Sequence, residues 1–140
     1  MKRIVLTALL CWGVSATYGQ SESSKISQAE ALAAEQLAAY NARNIEDFLR
    51  PYSDSVVVYN FPRELIFRGK EAMRKRYGKM FAETPDLHCE LVNRIVLGNV
   101  AIDQEQVTRK KGEPLSRVIA IYTIRNDKIA EVTFIRPEDN

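Results

Sequence analysis

The second half of the chain is a run of strand-length segments cut by turns, and this constrains the fold more than any other feature. Leu87–Leu97 reads as a long strand, and Gly98-Asn99 as a two-residue hairpin turn with glycine first. Val100–Arg109 then pairs back, and KKGEP makes a loop before the strand LSRVIAIYTIR. Asn126-Asp127 is a tight turn, and KIAEVTFIR is the last strand. The result is a four-strand antiparallel meander. Within RVIAIYTI, Ile119 and Ile121 occupy one face while Val118, Ala120 and Tyr122 occupy the other. A strand apolar on both faces is buried on both. Helices can cover only one side of such a sheet, so a second copy of the chain, docked on the outer face as a homodimer, is the simplest cover for the other.

Helices are gathered in the first half. ISQAEALAAEQLAAYNA (26–42) is rich in strong helix formers, with Ile26, Ala29, Leu32, Leu37 and Tyr40 at helical spacing and Ser27 as a cap. Asn44 caps a short second helix, IEDFLRPY, whose Glu46 and Asp47 complement the dipole and which Pro51 ends. SVVVYNF (55–61) is the first strand, and ELIFRG a short second one ending at Gly69. KEAMRKRYGKMFAE (70–83) returns to helical spacing, with Met73, Tyr77, Met80 and Phe81 on one face and a solvated stripe of Arg74, Lys75 and Lys79. Helices first and antiparallel strands last argue an α+β fold.

The amino terminus is read separately. MKRIVLTALLCWGVSATYGQ has two cations, an apolar run too short to span a bilayer, and then small and polar residues, which is the layout of a secretory signal peptide. The expected division is signal peptide 1–19, linker 20–25 and one domain 26–140, in a protein that is exported, periplasmic or secreted, with no stable membrane insertion after cleavage. Eighteen of the 20 basic residues and all 18 acidic ones lie beyond the signal, so the mature chain carries no net charge to favour nucleic acid. Cleavage removes Cys11 and leaves Cys89 alone, so no internal disulfide forms and the core must hold the domain. About 120 residues suffice for one such core.

VAIDQEQVT (100–108) carries the candidate chemistry. Asp103 and Glu105 are two apart, so on a strand both project from the same face. In a dry cavity they cannot both ionise freely, and one would serve as a general acid or base. As a structural pair they would instead be bound to Arg117 or another cation on a facing strand. A β-bulge between Ile102 and Asp103 would turn both outward. His88 and Glu90 lie opposite the apolar set Leu87, Cys89, Leu91, Ile95 and Leu97, which places His88, the only histidine, on the outer side. One histidine and one mature cysteine make no metal-ligand cluster. Neither a nucleophilic triad nor a Gly-rich phosphate loop is present, and no cofactor is expected. Cys89, within an apolar strand face, reads as buried and inert.

QLAAYNARNIEDFLRPYSDSVVVYN, FRGKEAMRKRY and IAIYTIRNDKIAEVTFI, in this order, resemble the nuclear transport factor 2-like superfamily, in its SnoaL-like and ketosteroid-isomerase-like branch. The resemblance covers residues 26–137. It implies a cone: a curved antiparallel sheet wrapped by three helices, with a small, mostly apolar ligand in the open end. It implies Asp103, Glu105 and Val107 on the inner face, and a ligand lined by Tyr40, Val58, Asn60, Met73, Tyr77, Ile119, Ile121 and Phe134. The ketosteroid isomerase residues themselves are not matched. Where that family has a catalytic aspartate, a tyrosine and a second aspartate, this chain has Asn60, Gln36 and Ile121.

Three functions remain open. The first is cofactor-independent acid–base chemistry on a small apolar or amphipathic molecule (isomerisation, cyclisation or hydration) with catalytic Glu105 or Asp103. The second is binding without turnover. The third is a dimeric interaction domain whose cone is filled by its own side chains. The fold does not choose among them.

Overall fold

The computed structural model describes residues 18–137, with side chains from residue 28 onward. Most of the expected signal peptide therefore lies outside the described residues. Three helices, α1 (Tyr18–Ala42), α2 (Ile45–Leu49) and α3 (Lys70–Glu83), accompany six strands. These are β1 (Tyr52–Asn60), β2 (Glu64–Arg68), β3 (His88–Leu97), β4 (Val100–Thr108), β5 (Ser116–Arg125) and β6 (Lys128–Ile135). The first helix begins well before Ile26, because the stretch expected as a linker, 20–25, contains neither Pro nor Gly to stop it.

Local chemistry sets the element ends. At the α1–α2 break Arg43 adopts φ 53°, and its N–H donates to the Tyr40 carbonyl at 3.0 Å. The Asn44 side chain then accepts from the backbone N–H groups of Glu46 and Asp47 at 3.1 and 3.2 Å, the cap expected for α2. Gly98 has φ 57°, and Leu97 pairs with Val100 across the two-residue turn. Asn126 and Asp127 both have positive φ, 50° and 59°, as the tight β5–β6 turn requires.

The strands form one sheet in the order β2-β1-β6-β5-β4-β3. The meander β3-β4-β5-β6 is antiparallel throughout, but β1 and β6 pair in parallel, a departure from the all-antiparallel sheet expected. The two strands are far apart in sequence, so their pairing is free of the hairpin geometry that forces neighbours antiparallel. The helices pack on the inner face over a core of Phe48, Val56, Met73, Leu87, Ile129 and Val132. Burying an aromatic or aliphatic side chain of this size contributes about 1.5–3 kcal/mol. Val58 and Met73, expected to line a ligand, are 1% exposed and belong to this core.

Strand β3 is one edge of the sheet, and α1 is fastened to it by an amide. Asn41 Nδ2 donates to the Cys89 carbonyl at 2.9 Å, and the Cys89 N–H donates to Asn41 Oδ1 at 2.8 Å. The side chain thus stands in for a neighbouring peptide at the sheet edge.

A bulge in β3 decides which residues face inward. Leu91 pairs with Glu105 but Asn93 with Gln104, so Val92 is an extra residue. Before it Cys89 is buried; after it Arg94 and Val96 take the inner side, while Ile95 and Leu97 are 57% and 76% exposed. The single apolar face expected for Leu87–Leu97 is therefore split, because a one-residue slip exchanges the faces of everything beyond it. His88 is exposed, as expected for the outer side. Strand β4 has no bulge of its own: Ala101, Asp103, Glu105 and Val107 are buried in strict alternation.

Candidate active site

A cavity of about 280 Å³ opens between the helices and the inner sheet face. Tyr40 of α1, Phe48 of α2 and Tyr77 and Met80 of α3 line its helical side. Cys89, Glu105, Val107, Val118, Tyr122 and Phe134 line its sheet side, and Ile66 and Phe67 of β2 flank it. Tyr40, Phe48, Tyr77 and Phe81 pack against one another, with Phe48 and Tyr77 ring centroids 4.6 Å apart and Tyr40 and Phe81 5.5 Å apart. The wall is thus aromatic and held from three helices at once.

Of the expected ligand-lining residues, Tyr40, Tyr77 and Phe134 border the cavity. Ile119 and Ile121 do not. They pair with Gln104 and Ile102, on the face opposite Asp103 and Glu105, so they lie outside the sheet, and Val118, Ala120 and Tyr122 face inward. Both faces of β5 being apolar, the periodicity gave no sign of which was inner. Asn60 does not border the cavity; its Oδ1 accepts from the Arg136 guanidinium. The comparison of position 121 with a second isomerase aspartate loses its basis, and its inward neighbours Ala120 and Tyr122 are not acids either.

The two carboxylates of β4 have different surroundings. Asp103 is fully buried and takes a bidentate pair from Arg94, with Nε to Oδ1 and Nη2 to Oδ2 both 2.7 Å. The cation is Arg94, brought inward by the Val92 bulge, and not Arg117. Held this way, Asp103 is ion-paired and does not border the cavity, where a base was expected.

Glu105 reaches the cavity, is 6% exposed, and has no cation within 4 Å among the described residues. Burial and the nearby Asp103 charge push its carboxyl up from 4.5 to about 7, against opposing pulls from the Cys89 and Tyr122 hydrogen bonds and from Arg94. A chain of donors ends on it: Tyr52 Oη to Gln36 Oε1 at 3.2 Å, Gln36 Nε2 to Tyr122 Oη at 2.9 Å, and Tyr122 Oη to Glu105 Oε1 at 3.3 Å. This relay fixes the carboxylate from behind and leaves no buried side-chain nitrogen or oxygen unpaired among the described residues. Burial also raises the Tyr77 hydroxyl to about 12 and the Tyr40 hydroxyl further, so both remain protonated donors on the cavity wall. Sequence reasoning missed Tyr122, Tyr52 and Arg94. The first two look like ordinary apolar-strand residues, and the third depends on a bulge with no local signature.

Chemically, the arrangement is one carboxyl that is half ionised near neutrality, facing an apolar space with two phenolic donors across it. Such a group can both take and return a proton. Among the described residues no three His, Cys, Asp or Glu side chains stand close enough to hold a metal ion.

Residues 33–132 match the family model for the SnoaL-like domain. A cystatin-fold protein from Novosphingobium aromaticivorans superposes with a TM-score of 0.69 at 30% identity, covering 78% of this chain and 97% of that one. A SnoaL-like protein of unknown function from Burkholderia thailandensis gives a TM-score of 0.67 at 18% identity over 79% and 95% of the two chains. A protein from Kribbella flavida provisionally named a ketosteroid isomerase gives 0.66 at 22% identity over 83% and 82%. No curated protein matches the chain. The fold, the inner-face site and the family match agree: this chain belongs to the SnoaL-like family, within the nuclear transport factor 2-like superfamily.

Proposed function

We propose that the cavity takes a small apolar or amphipathic molecule and that Glu105 moves a proton on it without a cofactor, in an isomerisation, cyclisation or hydration. The observation that carries this is a buried carboxyl poised near neutrality, with no cation within 4 Å among the described residues, at the wall of a ligand-sized apolar cavity. Glu105 takes the proton from carbon, the Tyr122–Gln36–Tyr52 relay holds its orientation, and Tyr40 and Tyr77 donate to an oxygen that gains charge. The provisional isomerase name of the Kribbella protein is consistent with this chemistry. Incubating a panel of cyclic ketones with the protein in deuterium oxide, followed by NMR, tests it. Incorporation at the carbon beside the carbonyl is expected above the buffer rate and lost in Glu105→Gln. Binding of ligands with no incorporation on any of them would leave a carrier instead of an enzyme.

The outer sheet face supports a second assignment, a homodimer. Ile95 and Leu97 are exposed there, beside the half-buried Val100, Ile102, Ile119 and Ile121. Sedimentation equilibrium should give a dimer that Ile95→Lys with Leu97→Lys converts to monomer. Export, read from residues 1–19, is part of the same proposal, and amino-terminal sequencing of the protein recovered from the cell envelope or medium checks it.

A further inference from the structure

Four arginines border the cavity without an acidic partner. Arg76 of α3, Arg109 just beyond β4, Arg117 of β5 and Arg136 just beyond β6 all line it, and among the described residues none has a carboxylate within 4 Å. By contrast Arg50, Arg74, Arg94 and Arg125 are each ion-paired. Three of the four have neutral supports. Arg76 lies over the Phe67 ring at 5.9 Å from its centroid and Arg136 over Phe134 at 5.0 Å, while Arg109 Nη1 lies 3.8 Å from Met80 Sδ. Guanidinium groups laid on aromatic and thioether surfaces are oriented without being neutralised. Their charges reach the cavity, because Arg76, Arg136 and Arg109 each act on the Tyr77 hydroxyl.

Their position sets the polarity of the space. Arg109 continues the inward alternation of Glu105 and Val107 along β4, four residues past Glu105, or ~13 Å of strand. One end of the cavity therefore holds an isolated carboxyl among aromatic rings, and the other holds unpaired positive charge. A neutral apolar ligand has no use for the second end.

We propose that the ligand is an amphipathic organic anion, with an apolar body among Tyr40, Phe48 and Tyr77 and an acidic group held at the rim by Arg76, Arg109, Arg117 and Arg136. This rests on the cavity being a ligand site, and it adds the chemical class. The acidic group sits near the solvent end and the apolar carbons reach inward to Glu105, which orients one end of the molecule for proton transfer.

Titration calorimetry with decanoate and its neutral isostere decanamide, at low and high salt, tests it. Decanoate should bind roughly tenfold or more tightly than decanamide at low salt, the worth of one charge-assisted contact. High salt should narrow the gap. The quadruple variant Arg76→Gln, Arg109→Gln, Arg117→Gln, Arg136→Gln should bind both equally, at the wild-type affinity for decanamide; unchanged circular dichroism and thermal melting would show that it is folded. Equal affinities in the wild type, or a preference that survives in the variant, would overturn the anion assignment and leave the cavity standing. Binding of neither compound would overturn the ligand site itself.

Discussion

Replacing Glu105 by Gln separates the cost of the buried charge from the rest of the fold. The folded carboxyl titrates near 7 and the unfolded one near 4.5, so between these values the native state holds a proton that the unfolded state has lost. Stability then falls as pH rises through this window: the native state is favoured in full below about 4.5 and has lost that contribution above 7. At 1.36 kcal/mol per pH unit the loss is about 3 kcal/mol. Glutamine keeps the shape and the acceptor for Tyr122 but never ionises. Urea unfolding followed by circular dichroism, from about pH 4 to 8.5, should show the stability gap between variant and wild type widening by about 3 kcal/mol in favour of the variant, or roughly 2 M in midpoint. Titrating groups that do not act on Glu105 are common to both proteins and cancel. A gap that stays constant across the range would mean that Glu105 ionises at its ordinary value, and the acid–base reading would lose its physical basis.

Other consequences are testable in the same way. Arg94→Ala strands a fully buried carboxylate and should cost about 3–5 kcal/mol in urea titration, most of it recovered by the apolar pair Arg94→Met, Asp103→Leu; a loss below about 1 kcal/mol would contradict the structural role of Asp103. Asn41→Ala leaves the Cys89 N–H and carbonyl at the sheet edge without their partner and should destabilise by about 1–3 kcal/mol, with faster hydrogen exchange at Cys89. Burial and the neighbouring Glu105 push the Cys89 thiol well up, so in a Cys11→Ser background iodoacetamide at about pH 8 should label it only when urea is added. Prompt labelling of the folded chain would show a cavity far more open than described.

Much of the fold is determined by local sequence. The helix-forming run to Ala42, the Asn44 cap, the span 70–83, the Gly98-Asn99 and Asn126-Asp127 turns and the meander all follow from propensity, capping and turn chemistry among near neighbours in the chain. The shared face of Asp103 and Glu105 is equally local, since it follows from the two-residue period of a strand. What tertiary structure alone decided was direction and partnership. Whether Val118 and Tyr122 or Ile119 and Ile121 face inward depends on which side the helices pack, and a strand apolar on both faces carries no preference. One extra residue at Val92 turned Arg94 inward, joined it to Asp103 and so divided two similar carboxylates into one that is ion-paired and one whose carboxyl is pushed up by burial. That division is a property of charges meeting across strands and being removed from water together, and no reading along a single strand contains it.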